Sequence, residues 1–231
     1  MTETAEVTEE PMDWMSGEMK MSETKIKICG LRRPEDIEAV NRLKPEFIGF
    51  VFWEKSKRYV TPEQAEALRK QLDPKITAVG VFVDAPEEEV SDLLNRGIID
   101  IAQLHGHEDE KYISDLRKLT EKPMIQAFQI RSEESADEIL DKAKSSTAEY
   151  VLIDSGMGSG KSFNWDLLKD FPREYFLAGG LDPENVGEAV ARTSAFAVDV
   201  SSNVETDGKK DEKKMKAFVD AVRRTDGGRW K

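Results

Sequence analysis

Apolar residues in this chain fall into two alternating patterns. Short runs of nearly continuous apolar character occur at 25–29 (KIKIC), 47–52 (FIGFVF), 76–83 (ITAVGVFV) and 98–104 (IIDIAQL). Four more occur at 124–128 (MIQAF), 150–154 (YVLID), 175–179 (YFLAG) and 196–200 (FAVDV). Runs of this length, rich in Val, Ile and Phe, read as strands covered on both faces, as in parallel sheets. Between them, apolar residues recur at helical spacing. Pro34 opens a stretch that puts Ile37, Val40 and Leu43 on one side, and Thr61-Pro62-Glu63-Gln64 is a capping box with Pro at the first helical position. Further helices are predicted around Val90-Leu93-Leu94, Tyr112-Ile113-Leu116-Leu119 and Ile139-Leu140, with a short one after Trp165. Asp182, followed by Pro183, is placed to cap a seventh, and Met215, Phe218, Val219 and Val222 define the last.

Eight strands, each followed by a helix, admit two α/β architectures. An open doubly wound sheet is expected to carry a Gly-rich turn after its first strand. The turn here is Cys29-Gly30-Leu31-Arg32-Arg33, without that spacing. The count of eight favours the other solution, a single (β/α)8 TIM barrel, for which about 200 residues is the lower end of the size range. The first 22 residues are Glu- and Met-rich with few aliphatics, so they are expected to form a flexible N-terminal tail. The barrel is then expected at 23–224, with 225–231 as a C-terminal tail.

Charge and composition narrow the partners. A net charge of −12 argues against nucleic acid or an anionic membrane. No apolar run approaches the ~18–20 residues of a membrane span, and the acidic N-terminus has no secretory apolar core. A cytoplasmic protein, monomer or homodimer, is expected. With one cysteine, Cys29, an internal disulfide is impossible.

The stretch Val151 to Trp165, VLIDSGMGSGKSFNW, ends in Gly-Lys-Ser and invites comparison with a P-loop. That motif needs a glycine at position 155, which is Ser155, so the spacing fails. The residue of interest is instead Asp154, at the C-terminal tip of a strand. Barrel chemistry lies at those tips. Cys29-Gly30, Arg58, Gln103, His105, Asp154, Gly179-Gly180, Asp199 and Ser201-Ser202-Asn203 all fall there. Loops after strands seven and eight commonly hold phosphate through backbone N–H groups. Gly179, Gly180, Ser201, Ser202 and Asn203 fit that role, though tight turns alone would use the same residues. Cys29 reads either as a small buried hydrophobe or as a base or nucleophile. Asp154 reads as a cap, an ion-pair partner or an acid. Arg58 is a surface charge or a fork for a carboxylate. His105 and His107 lack the companions of a usual metal site, so a structural or substrate-lining role fits them better.

Taken together, the motifs KICG (27–30), GFVF (49–52), SKRYV (56–60), GVFV (80–83), QLHG (103–106), LIDSGMGSGKSFNW (152–165), LAGGLDPENV (177–186) and VDVSSNVET (198–206) resemble the phosphoribosylanthranilate isomerase family. The resemblance runs over roughly 25–224 and implies a (β/α)8 barrel. It departs at Asn203, where the family has glycine, and at Met157, in a loop shorter than in many members. Asn tolerates left-handed backbone angles, so the turn at Asn203 is expected to survive.

The resemblance implies an Amadori rearrangement of N-(5′-phosphoribosyl)anthranilate to 1-(2-carboxyphenylamino)-1-deoxyribulose 5-phosphate. Carried over, Asp154 is the general acid, Cys29 the general base, and Arg58 the anchor for the anthranilate carboxylate. The five turn residues named above then hold the phosphate, and Gln103, His105 and Asp199 line the substrate. A base of this kind must be a thiolate, so Cys29 is expected to have a lowered pKa, with a cation or helix N-terminus nearby. The partner is a small phosphorylated substrate. Only protons move, so no metal or cofactor is expected. Two alternatives remain at this stage. One is a histidine-pathway aminoaldose isomerase, which would carry Asp in place of Cys29. The other is a non-catalytic barrel that binds phosphate ligands.

Overall fold

The computed structural model describes residues 23–132, 135–155, 164–193 and 195–228, and for 226–228 the backbone only. Eight parallel strands close into a barrel in sequential order. They are β1 (Lys25–Cys29), β2 (Phe47–Val51), β3 (Thr77–Phe82), β4 (Ile101–Leu104), β5 (Met124–Gln129), β6 (Tyr150–Asp154), β7 (Tyr175–Ala178) and β8 (Ala197–Val200). Among the described residues, seven α-helices cover them: α1 (Pro34–Leu43), α2 (Pro62–Arg69), α3 (Glu87–Asn95), α4 (Glu110–Leu116), α5 (Ala136–Ser145), α6 (Val186–Arg192) and α7 (Glu212–Gly228). A short hairpin, β9 (Glu205–Thr206) with β10 (Lys209–Lys210), sits between β8 and α7. Among the described residues, no helix is long and apolar enough to cross a membrane.

The hydrophobic pattern locates the strands because each is buried on both faces. Outward residues such as Ile26, Ile28, Ile48 and Phe50 pack under the helices. Inward residues such as Phe47, Val79, Ile125, Leu152 and Phe176 fill the barrel. At the N-terminal end the filling is aromatic: Phe47 meets Phe176 edge-on at 5.2 Å, and Tyr150 stacks on Phe196 at 5.2 Å. Rings of this size, withdrawn from water, stabilise the barrel floor by ~1.5–3 kcal/mol each. Above them the interior turns smaller and polar, and the site opens there.

The capping box at Thr61 forms as its sequence predicts, Gln64 N donating to Thr61 Oγ1 and Thr61 N to Gln64 Oε1. Four expectations need correction. The element after β6 is one turn of 3₁₀-helix, Trp165–Leu168. It is too short for an α-helix, and Trp165 and Leu168, three apart, turn inward together. The helix after β7 begins at Val186 rather than at Asp182. Asp182 Oδ1 accepts from the backbone N–H groups of Glu184 and Asn185, organising a turn that precedes the helix. Strand β4 starts at Ile101 because Ile98 and Ile99 donate to Leu93 O and close the end of α3 instead. Finally, α7 continues past 224 to Gly228. Thr225 Oγ1 donates to Ala221 O on its last turns, and Gly187 on α6 leaves room for that hydroxyl. The expected N-terminal tail at 1–22, the Gly160-Lys161-Ser162 stretch and Met157 lie outside the described residues.

Candidate active site

Strand alternation decides which side chains reach the barrel mouth. On β1 the residues Ile26 and Ile28 face the helices, so Lys27 and Cys29 face the interior. On β6 the same rule turns Leu152 inward, and Asp154 two residues on. A cavity of about 910 Å³ opens at the C-terminal ends of the strands. Cys29, Arg58, Gln103, His105, Asp154, Asp199 and the two turns at 179–180 and 201–203 all line it. Every candidate residue named from the sequence therefore meets at one place.

Cys29 is buried, in contact with Val51 and Val81. Its sulfur occupies space left by Gly49, where an added Cβ would lie 2.6 Å from Sγ. Beneath it stands a residue whose role the sequence left open. Lys27 is fully buried, and its Nζ donates to Asp199 Oδ2 at 2.8 Å. The two are partners in the register of β1 with β8, which sets the pair across one rung of the barrel. Burial works against the Lys27 charge, but Asp199 and Cys29 outweigh it and hold the ammonium above its usual range. Burial likewise pushes the Asp199 carboxyl up, against the pull of Lys27. Among the described residues, the second carboxylate oxygen, Oδ1, is buried without a hydrogen-bond partner.

The cation that thiolate chemistry needs is present, and so is a second, Lys210. Yet the expectation of a lowered Cys29 pKa is not met. Burial pushes the thiol up, and the pull of Lys27 and Lys210 does not cancel it, while Asp199 adds a further upward push.

Across the mouth, Asp154 Oδ2 lies 3.5 Å from His105 Nε2. Gln103 Nε2 lies 2.8 Å from His105 Nδ1; with the amide in this orientation its N–H donates to Nδ1, which assigns the ring proton to Nε2, facing the carboxylate. The far end of the same amide, Gln103 Oε1, is buried without a partner among the described residues. His107 is exposed on the rim and pairs with Asp84 at 3.1 Å. The two histidines are committed to different carboxylates. Among the described residues, no cluster of three or more His, Cys, Asp or Glu is arranged for a metal.

Two turns form the opposite wall. Gly179 and Gly180 both adopt positive φ, 95° and 68°, a conformation that favours glycine. Ser155 Oγ lies within hydrogen-bond distance of Ala178 O and Gly179 O and pins this turn to the end of β6. Asn203 Nδ2 donates to Leu181 O and ties the second turn to the first, while Ser201 Oγ donates to Cys29 O. The left-handed geometry anticipated at Asn203 is absent. The residue lies in a 3₁₀ turn, Ser202–Val204, so no glycine is required there.

Arg58 closes the remaining side. Its stem lies on Gly30, whose positive φ of 86° and missing side chain admit it, since a Cβ there would collide with Arg58 Cδ. Its guanidinium is held by Glu205: Nε donates to Oε1 at 2.6 Å and Nη2 to Oε2 at 2.8 Å. Sequence reading missed Glu205 and Lys210, which bear on the site through Arg58 and Cys29. Both belong to the hairpin after β8, and only the closed fold brings them beneath the mouth.

Comparison with known proteins gives a consistent picture. A family profile described as N-(5'phosphoribosyl)anthranilate (PRA) isomerase matches residues 26–221. A protein of Thermoanaerobacter sp. (strain X514), named N-(5'-phosphoribosyl)anthranilate isomerase, is 44% identical over 202 residues, covering 86% of this chain and 98% of that one. The solved phosphoribosyl anthranilate isomerase of Thermotoga maritima superposes with a TM-score of 0.77 at 34% identity, over 87% of this chain and 99% of that one. A phosphoribosyl anthranilate isomerase in complex with reduced 1-(o-carboxyphenylamino)-1-deoxyribulose 5-phosphate gives a TM-score of 0.76 at 33% identity, over 87% and 99%.

Proposed function

This chain belongs to the N-(5'-phosphoribosyl)anthranilate isomerase family and is an aldose–ketose isomerase of tryptophan biosynthesis, and from that premise we propose how its residues divide the reaction. The substrate spans the mouth, its phosphate in the two turns at 179–180 and 201–203 and its aromatic carboxylate at Arg58. Fixing both ends brings the ribose C1′ and C2′ between Cys29 and Asp154, and such positioning supplies much of the rate.

Asp154, as the neutral acid, gives its proton to the ribose ring oxygen. The C1′–O4′ bond breaks, and the nitrogen lone pair forms a C1′=N iminium. Cys29, as thiolate, then takes the proton from C2′. The C2′–H electrons move into a C1′=C2′ double bond and neutralise the iminium. The resulting enolamine tautomerises, C1′ gaining a proton and the C2′ oxygen becoming the ketone. Electrons stay within the substrate throughout.

The observation that carries this division is the placement of a sulfur and a carboxylate on facing strands of one cavity, with Lys27 below the sulfur and His105 beside the carboxylate. His105 donates from Nε2 and supports Asp154 once its proton has left. The Cys29 thiolate forms from a raised pKa, drawing on Lys27, Lys210 and, once the ring has opened, on the cationic iminium. Cys29 also separates this reading from a histidine-pathway isomerase with Asp at that place. Asp154→Asn tests the acid. Loss of substrate fluorescence, followed on freshly made N-(5′-phosphoribosyl)anthranilate, should slow by a factor of about 10²–10⁴ in kcat with KM little changed. Turnover near that of the unaltered enzyme would remove Asp154 from the acid role.

A further inference from the structure

Glu205 has no part in the acid–base steps, yet it makes the most geometrically specific ion pair near the site. Its two oxygens meet Nε and Nη2 of Arg58 side by side at 2.6 and 2.8 Å. A planar fork held on two parallel bonds is fixed in orientation as well as in position. Glu205 is itself anchored. Lys210 Nζ donates to Glu205 Oε1 at 2.7 Å and to Ser201 O at 2.8 Å, and the backbones of Glu205 and Lys210 pair in the β9–β10 hairpin. Arg58 lines the cavity, whereas Glu205 and Lys210 stand behind it and do not. Among the described residues, Arg58 Nη1 makes no hydrogen bond, so one edge of the fork remains for a ligand.

The charges point the same way. Arg58 and Lys210 bring two positive charges and Glu205 one negative, held ionised against burial by its bonds to both cations. Counted without Cys29, the cluster carries one net positive charge, which a single carboxylate offsets.

We propose that Glu205 is a positioning residue for substrate recognition: anchored on Lys210, it grips Arg58 by the Nε–Nη2 edge and aims the remaining edge at the substrate's aromatic carboxylate. This rests on the assignment of Arg58 given above. It also opposes a simpler idea, that Glu205 competes with the substrate for Arg58 and must be displaced.

Binding of two probes separates these possibilities. One is reduced 1-(o-carboxyphenylamino)-1-deoxyribulose 5-phosphate. The other is the same compound with an unsubstituted phenyl ring. The unaltered enzyme should prefer the carboxylated probe by about tenfold or more, the range of a hydrogen bond to a charged group. Arg58→Ala should abolish that preference. Glu205→Ala should reduce it about tenfold, read as the ratio of the two affinities so that any change common to both phosphate-bearing probes cancels. Glu205→Gln keeps the shape and one acceptor, so it should fall between and serves if the alanine variant does not fold. A preference unchanged in either Glu205 variant overturns the proposal. A preference increased by Glu205→Ala overturns it in favour of competition. No preference in the unaltered enzyme would instead refute the Arg58 assignment on which the proposal stands.

Discussion

Lys27 is the group on which thiolate formation depends most, and its removal has a calculable effect. It is fully buried beneath Cys29, ion-paired to Asp199 at 2.8 Å, and is the strongest influence favouring the thiolate. Unit charges about 4 Å apart, at an effective dielectric constant near 20, interact by about 4 kcal/mol. Each 1.36 kcal/mol of such an interaction changes the thiolate fraction at fixed pH about tenfold. Lys27→Met keeps the length of the stem and removes the charge. It also strands the Asp199 carboxylate, and breaking a buried pair from one side costs about 3–5 kcal/mol. Lys27→Met with Asp199→Asn avoids that cost; it also removes the opposing Asp199 charge, so the shift left on sulfur is the excess of the larger Lys27 effect over the smaller Asp199 one. Cys29 is the only cysteine in the chain, so its alkylation by iodoacetamide as a function of pH reports its titration without reference to catalysis. In the unaltered enzyme the midpoint should lie above the ordinary thiol value of ~8.5, because burial pushes it up. The base must be deprotonated, so kcat/KM should rise with pH toward the same midpoint. In the double variant the midpoint should move further up and the kcat/KM profile should follow it. A folded variant whose midpoint is unmoved, or lower, would refute the role given to Lys27.

Asp199 acts on the sulfur with the opposite sign. Asp199→Asn alone, which removes a negative neighbour and leaves Lys27 in place, should lower the alkylation midpoint; a higher one would contradict the arrangement of charges. Gly30→Ala adds a side chain at a φ of 86°, where it collides with the Arg58 stem. The left-handed conformation costs about 1–2 kcal/mol for an L residue, so melting temperature should fall. Displacement of the guanidinium should raise KM for N-(5′-phosphoribosyl)anthranilate by about tenfold, and unchanged steady-state constants would show that Arg58 is not seated by Gly30.

The barrel was legible because its strands are apolar on both faces and the candidate residues lie at or close to the C-terminal ends of strands. Position along each strand then implied position around the mouth. What escaped was pairing across the closed sheet. Lys25 and Lys27 are the same residue type two positions apart on one strand. The first ends over the Phe196 ring at 4.0 Å, near the barrel floor, and the second is sealed beneath Cys29. Nothing local distinguishes them, because the partner that makes burial of Lys27 tolerable is Asp199, 172 residues away. Arg58 likewise meets Glu205 across 147 residues. The direction of the Cys29 shift was misread for a related reason. Nearby cations can be anticipated from what the chemistry needs, but the depth of burial that opposes them follows from how Val51 and Val81 close over the sulfur.

The central claim is that the sulfur of Cys29 removes the C2′ proton. Single-turnover loss of substrate fluorescence by Cys29→Ala, at enzyme concentrations above the substrate and with folding verified by its thermal transition, tests this most directly. The account predicts a rate about 10²–10⁴ below that of the unaltered enzyme, and a rate within a few fold of it would contradict the claim.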